Sequence, residues 1–225
     1  MKTVVVTGAN RGIGLALTKE FAKDSFVYAL CRSEFPPEEL NDNIKVLTLD
    51  VTNEAAIASF AAELNDKNVG IDLLVNNAGM AGGDENKNLK DDAHSVTELF
   101  AVNTVAPMIL SIHLAPAMNR AERPVMIAIS SRMGSHALLN KHNAEWWPYG
   151  ASKAGLSFAV SAFAINEPAI KSISVHPGWV KTRMGGDGAD IEPAESARGI
   201  IQLYETVDSL ESGSLYTYDG KLLDW

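Results

Sequence analysis

The sequence predicts an α/β fold, a doubly wound parallel sheet of about seven strands with helices on both faces, in a single unit over residues 1–225. Three observations lead there. Short apolar runs alternate with longer stretches of helical periodicity, the pattern of successive βαβ units. Several of the runs are apolar at nearly every residue, as strands covered on both faces must be. A glycine-rich turn follows the first run directly, where such a sheet presents its ligand-binding edge.

Taken in order, Lys2–Thr7, Phe26–Cys31, Lys45–Leu49, Asp72–Asn76, Val125–Ser130, Ser172–His176 and Leu215–Tyr218 read as strands. Ile13–Lys23, Asn53–Asn65, Ala93–Met118, Tyr149–Asn166 and Ala194–Val207 read as helices, the last preceded by Pro193 in a position suited to a first turn. The connection Arg32–Asn43, with Pro36-Pro37, has room for about a turn of helix. Met80–Asp92 is polar and Gly-rich and reads as a surface loop, and Gly185–Asp190 as a mobile lid.

Composition excludes several classes of function. A formal charge of −9 disfavours nucleic acid as a partner. No stretch approaches the roughly 20 apolar residues of a membrane span. Thr3-Val4-Val5-Val6 starts a strand almost at once, so no signal peptide is expected. The single cysteine, Cys31, cannot form an intramolecular disulfide, and the five histidines are scattered without metal-ligand spacing. The expected setting is the cytoplasm.

The first strand ends in Thr7-Gly8-Ala9-Asn10-Arg11-Gly12-Ile13-Gly14. Three glycines at a strand-to-helix turn let the backbone approach a pyrophosphate, and the following helix aims its N–H groups at the anion. The second strand ends in Leu30-Cys31-Arg32-Ser33, without the acid that holds a ribose 2′-hydroxyl in NAD sites. Arg32, with Arg11 as a second guanidinium, favours the 2′-phosphate of NADP(H). Further along, Tyr149 and Lys153 share one helix face at i, i+4 spacing, with Ser130 and Ser131 about twenty residues upstream. An ammonium beside a phenol favours the ionised phenol, so Lys153 is expected to lower the Tyr149 pKa towards neutrality.

These residues resemble the short-chain dehydrogenases/reductases, a Rossmann-type family, over nearly the whole chain and in order. Gly8, Asn10, Arg11, Gly12, Ile13 and Gly14 are similar to the family's cofactor loop, and Asp50-Val51 to its adenine-contacting pair. Asn76-Asn77-Ala78-Gly79 is similar to the turn beneath the cofactor, so that Asn77, Ala78 and Gly79 are expected to border it. Pro177, Gly178, Val180 and Thr182 resemble the segment that contacts nicotinamide. Ser131, Tyr149 and Lys153 match the catalytic serine, tyrosine and lysine, with Ser130 as the alternative serine, and Asn103 matches an asparagine that holds a relay water. Ile129–Ser135, His176–Thr182 and Tyr218–Trp225 look like the C-factor/sniffer-like carbonyl reductases, a subgroup in which some members are discussed as signalling proteins.

The resemblance implies reversible hydride transfer between NADP(H) and a carbonyl or alcohol. Tyr149 would be the proton donor, Ser131 would hydrogen-bond the developing oxyanion, and Tyr149 and Lys153 would also contact the cofactor. A regulatory nucleotide binder with little turnover is the competing reading, and an NAD-linked alcohol oxidoreductase is a third. The interval from Ser131 to Tyr149 is longer than is typical, which puts His136–Trp147 beside the substrate. Met133, Trp147, Trp179 and Met184 are the candidate substrate contacts, and Trp146 is a further aromatic nearby. The helices carrying Asn103 and Tyr149 often build homodimers or homotetramers in this family, although the long segment before Tyr149 stands where it can block that surface.

Overall fold

A computed structural model describes residues 1–81 and 93–225. It contains one seven-stranded sheet, built from β1 (Lys2–Thr7), β2 (Ser25–Cys31), β3 (Ile44–Thr48), β4 (Leu73–Asn76), β5 (Val125–Ile129), β6 (Lys171–His176) and β7 (Leu215–Thr217). Its order is β3-β2-β1-β4-β5-β6-β7, with every pairing parallel. Each strand end falls within a residue of the sequence reading.

Period-two alternation divides the strand side chains between two faces. Val4 and Val6 join Leu17 and Phe21 of α1 (Gly12–Phe21) and Ile200 and Leu203 of α7 (Pro193–Glu205) in one core layer. Val5 and Leu74 join the opposite layer. Ile57 and Phe60 of α2 (Glu54–Asp66), Leu110 and Leu114 of α4 (Ala106–Met118) and Val160 of α6 (Trp147–Asn166) fill it. Each of these aliphatic side chains is withdrawn fully or almost fully from water, which stabilises the fold by about 1.5–3 kcal/mol apiece before conformational entropy is counted.

The helix read as continuous over Ala93–Met118 is broken. After α3 (Ala93–Phe100) comes a π-helical turn at Ala101–Val105, and α4 follows. Pro107 explains the break, because it has no N–H to give to the carbonyl of residue 103 and its ring clashes with that carbonyl in an α-helix. The widened turn carries Asn103 into the interior, where it is completely buried. The rod from Ala93 to Met118 is long and apolar enough to cross a membrane by length and composition, but Leu110, Leu114 and Met118 are core side chains of this fold.

The strand order reverses between β1 and β4, the place where open α/β sheets open a ligand crevice. It is stitched together there by side chains. Thr7 Oγ1 accepts the N–H groups of Asn77 and Ala78 at 2.9 Å each, and Asn77 Nδ2 donates to Thr7 O at 2.8 Å and Gly8 O at 3.3 Å.

Candidate active site

The crevice begins at the glycine loop. Gly8 and Gly12 have φ of 62° and 54°, the left-handed region that disfavours a side chain. A Cβ on Gly14 would lie 2.2 Å from Gly8 O, so only glycine lets α1 start this close to β1. Helix α1 then opens towards the crevice with no acidic residue in its first turn, an electropositive terminus suited to a phosphate. Ile13, one residue in, packs against the first core layer.

Around the adenosine end the side chains interlock. Asn10 Nδ2 donates to Ser33 Oγ at 2.8 Å and to the Glu34 carbonyl at 3.1 Å, tying the glycine loop to the end of β2. Arg32 projects into solvent, with its guanidinium 3.8 Å from Asp50. The Asp50 carboxylate accepts the Thr52 N–H at 2.9 Å and its hydroxyl at 2.7 Å. The Thr52 N–H, then the Thr52 hydroxyl and Arg32, hold its pKa below the ordinary carboxylate value. Asp50 is thus both a turn-former and the counter-ion of Arg32, while Val51 packs into the core. Ser33 was missed in the sequence, and its place beside Arg32 was the available signal.

At the far end, the Pro-Gly segment crosses to the glycine loop. The Thr182 methyl lies 3.1 Å from where a Cβ of Gly12 would be, so the two segments face each other across the cleft. Gly178 has φ of 87° and is packed against Ile191 and the Tyr218 ring, and Val180 is buried. Pro177 O accepts the Ser196 hydroxyl at 2.7 Å, which anchors this turn to α7.

The two serines separate clearly. Ser130 faces the body of α6, its hydroxyl 3.2 Å from Lys153 O and 2.8 Å from Ser157 Oγ. Ser131 accepts the Met133 N–H at 3.1 Å, capping a 3-10 turn at Arg132–Gly134, and stands near enough to the Tyr149 phenol to lower its pKa a little. The turn is seated on α6, since a Cβ on Gly134 would come within 2.7 Å of the Lys153 and Ala154 backbone and one on Gly150 within 2.8 Å of Met133 O.

Tyr149 and Lys153 correct one expectation. Lys153 does not draw the phenol down. Its ammonium lies 5.9 Å from the Tyr149 ring centroid and donates to Ile129 O at 2.8 Å. Although Tyr149 keeps some exposed surface, desolvation dominates and pushes its pKa up to about 12, against a smaller lowering by Ser131. Burial likewise pushes Lys153 down to about 8. At neutral pH the phenol therefore holds its proton and the lysine is mostly charged. His176, at the end of β6, is pushed down to about 4, chiefly by burial and then by Arg132, and stays neutral.

The Asn103 side chain is engaged with protein at both of its polar atoms. Its Oδ1 accepts Met80 N–H at 2.9 Å, and its Nδ2 donates to Met80 O at 2.8 Å and Ser152 Oγ at 3.0 Å. Ser152 in turn donates to Tyr149 O at 2.8 Å. The side chain thus clamps the segment after Gly79 to the first turns of α6, with both its amide hydrogens taken up by protein. A Cβ on Gly79 would lie 3.3 Å from Asn103 Oδ1 and 3.5 Å from Lys153 Nζ, so glycine keeps the lane between them open.

The substrate side is less tightly built. Met133 is half-buried, while Trp147, Trp179 and Met184 are 50%, 54% and 51% exposed. Residues 185–190, read as a mobile lid, are tied down. Trp179 Nε1 donates to Gly185 O at 3.0 Å, Asp190 N–H to Trp179 O at 3.0 Å, and Gly186 N–H to Thr182 O at 2.9 Å. The loop read over Met80–Asp92 falls outside the described residues from 82 onward. The long segment before Tyr149 holds a short helix, α5 (Lys141–Ala144), capped by Asn140, and α6 begins at Trp147, two residues before the expected start.

Comparison with known proteins agrees with this arrangement. The pattern of the short chain dehydrogenases matches residues 2–191. The chain belongs to the short-chain dehydrogenase/reductase family. Among its relatives, this short-chain dehydrogenase is 28% identical to the C-signal protein of Myxococcus xanthus over 162 residues, covering 69% of this chain and 93% of that protein. Its fold is similar to the NADPH-bound carbonyl reductase from chicken fatty liver, at 31% identity and a TM-score of 0.86 over 100% of this chain and 94% of that one. It is similar also to the carbonyl reductase Sniffer of D. melanogaster, at 28% identity and a TM-score of 0.88 over the full length of both.

Proposed function

We propose that this short-chain dehydrogenase is an NADP(H)-dependent carbonyl reductase that interconverts a carbonyl compound and its alcohol. The observation that carries the reading is the gathering of Ser131, Tyr149 and Lys153 in one site, the Lys153 ammonium 5.9 Å from the Tyr149 ring, with the phenol held protonated above neutral pH. The likeness to an NADPH-bound carbonyl reductase supports it. The cofactor, when bound, supplies the hydride. The Gly8–Gly14 loop and the α1 terminus would hold its pyrophosphate, and Arg32, Ser33 and Arg11 its 2′-phosphate. Gly79, Pro177, Gly178 and Thr182 would border its nicotinamide end.

The chain's own residues manage the proton. Tyr149 gives its proton to the substrate oxygen, and Ser131 hydrogen-bonds the same oxygen as charge builds on it, a contribution of about 3–4 kcal/mol when such a donor is well placed. Lys153, charged at pH 7, donates to Ile129 O at 2.8 Å and so ties α6 to the end of β5 beside Tyr149. Asn103 and Ser152 hold the α6 backbone so that phenol and serine stay in register. Val105, Ile112, Phe158 and Ile165 form an exposed apolar stripe on the helices of Asn103 and Tyr149, which supports a homodimer across that face.

The test is NADPH oxidation with a panel of ketones, aldehydes and quinones, with Tyr149→Phe as the control. Turnover abolished in the phenylalanine variant is expected, and equal turnover by both proteins defeats the reading. A second reading, a regulatory nucleotide binder, is favoured by the likeness to C-signal. It would leave the wild-type protein binding NADPH tightly while reducing nothing in the panel.

A further inference from the structure

The carboxy-terminal residues, which the mechanism above leaves unused, touch the site at two points distant in sequence. At one end the Tyr218 N–H donates to His176 O at 2.9 Å, and the Tyr218 ring lies against Gly178. The chain then turns back at Gly220. Thr217 N–H donates to Lys221 O and Leu223 N–H to Leu215 O, each at 2.8 Å, with Leu222 opposite Tyr216 in an antiparallel bridge. At the other end the Ser135 hydroxyl donates to Asp224 O at 2.6 Å and accepts the Leu138 N–H at 3.3 Å. Ser135 is only 2% exposed, an unusual place for a serine unless its hydroxyl is engaged. It stands four residues beyond Ser131, directly after the turn seated on α6.

The tail therefore runs from the Pro-Gly segment to the oxyanion turn, and Trp225 lies about one Cα step, ~3.8 Å, past the residue latched at Ser135. It is 53% exposed. Its exposure is not isolated. Among the described residues, half of the twelve large apolar side chains left exposed are in three segments that border the site. They are Leu139 and Trp147 before Tyr149, Trp179 and Met184 after Gly178, and Leu222 and Trp225 in the tail. An indole and a thioether offer wide, polarisable faces to a flat apolar ligand.

We propose that Trp225, held by the Ser135–Asp224 hydrogen bond, forms with Met133 one wall of the substrate site and selects carbonyl compounds that carry large ring substituents. The proposal rests on the carbonyl-reductase reading, and two measurements separate their failures. The first is equilibrium binding of 1,2-diphenylethane-1,2-dione, followed by ligand-observed NMR, to protein loaded with NADP⁺, which cannot reduce it. Trp225→Ala and Ser135→Ala should each weaken binding at least fivefold, Ser135→Thr should restore it to within twofold, and NADP⁺ affinity should stay within twofold throughout. The second is the ratio of kcat/KM for this diketone to that for a small aliphatic aldehyde, which should fall at least tenfold in Trp225→Ala. A purely structural tail would lower both substrates together and leave the ratio unchanged, which overturns the proposal. So does absence of diketone binding to the wild type, or equal binding by Trp225→Ala. Diketone binding that depends on Trp225 without any turnover sustains the wall and defeats the reductase reading. Should Ser135→Ala lose NADP⁺ affinity through misfolding, Trp225→Ala, which replaces a half-exposed side chain, decides the matter.

Discussion

The glycine loop and the stretch from Ser131 to Tyr149 border the same crevice but are held in opposite ways. In the loop, backbone meets backbone. Gly14 sits against Gly8 O, Asn77 stitches β4 to β1, and Asn10 fastens the loop to β2, so little in it can be exchanged. In the other stretch, Gly134 and Gly150 key the oxyanion turn into α6, and between them the backbone is held by local contacts, the Ser135 and Asn140 side chains and the short helix α5. Beyond Ser135 its large side chains, Leu139 and Trp147, face solvent. A site that must accept one cofactor and a range of substrates needs this division. Close backbone packing fixes a constant ligand, and exposed aromatic and sulfur-containing side chains can be varied without loss of the fold.

That contrast can be broken by experiment. The largest effect is expected at the junction of the two regions. Tyr149→Phe should lower kcat by about 10³-fold, within the usual range for loss of a general acid, while NADPH affinity measured by fluorescence titration stays within about twofold. A parallel loss of affinity would mean that the phenol builds the cofactor half instead of serving the chemistry.

Next comes Lys153, whose burial holds its pKa near 8 instead of the ordinary 10.5. Between those values the unfolded chain binds more protons than the folded one, so this group adds stability as pH rises through the window and carries its full penalty at pH 7. Wild-type stability should therefore gain about 3 kcal/mol on Lys153→Met between pH 7 and 10.5, as read from urea melts at each pH. A constant difference would show that the lysine is better solvated than its surroundings indicate.

Smaller effects compare the glycines. Gly14→Ala should destabilise the protein by about 1–3 kcal/mol, as overpacking does, and abolish NADPH binding. Gly186→Ala, on the substrate side, meets nothing within 4 Å and has only its φ of 72° to overcome, so about 1 kcal/mol and unchanged NADPH binding are expected. Equal costs at the two positions would erase the distinction between the regions. Arg32→Asp should move the NADPH/NADH preference at least tenfold towards NADH, measured as the ratio of kcat/KM values. Smallest of all, Met184→Ala should change stability by less than about 0.5 kcal/mol while raising KM for bulky carbonyls.

Legibility followed the same division. The strands could be read to within a residue because a sheet covered on both faces demands continuous apolar runs, and the glycine loop because its backbone geometry demands glycine at fixed spacing. The π-helical turn at Asn103 was missed, although Pro107 four residues later announced it. Gly185–Asp190 has the composition of a mobile loop, yet Trp179 and Thr182 tie it down, and composition does not record a hydrogen bond to a neighbour's carbonyl. Ser131 was preferred to Ser130 from the motif, and alternation at the strand end turns the Ser130 hydroxyl away into α6, onto Lys153 O and Ser157 Oγ. Nothing local pairs Ser135 with Asp224, 89 residues away.

By itself the sequence determined the layers, the order of motifs and the residue types that carry the chemistry, because periodicity, glycine placement and side-chain identity are local properties of the chain. Tertiary structure alone decided the state of that chemistry. Burial, not the neighbouring charge, sets the Tyr149 and Lys153 pKa values in opposite directions. Asn103 is a clamp on Met80 and Ser152, and the carboxy-terminal tail comes to rest beside the oxyanion turn. Desolvation and long-range hydrogen bonds depend on what surrounds a group in space, and that environment exists only once the chain has folded.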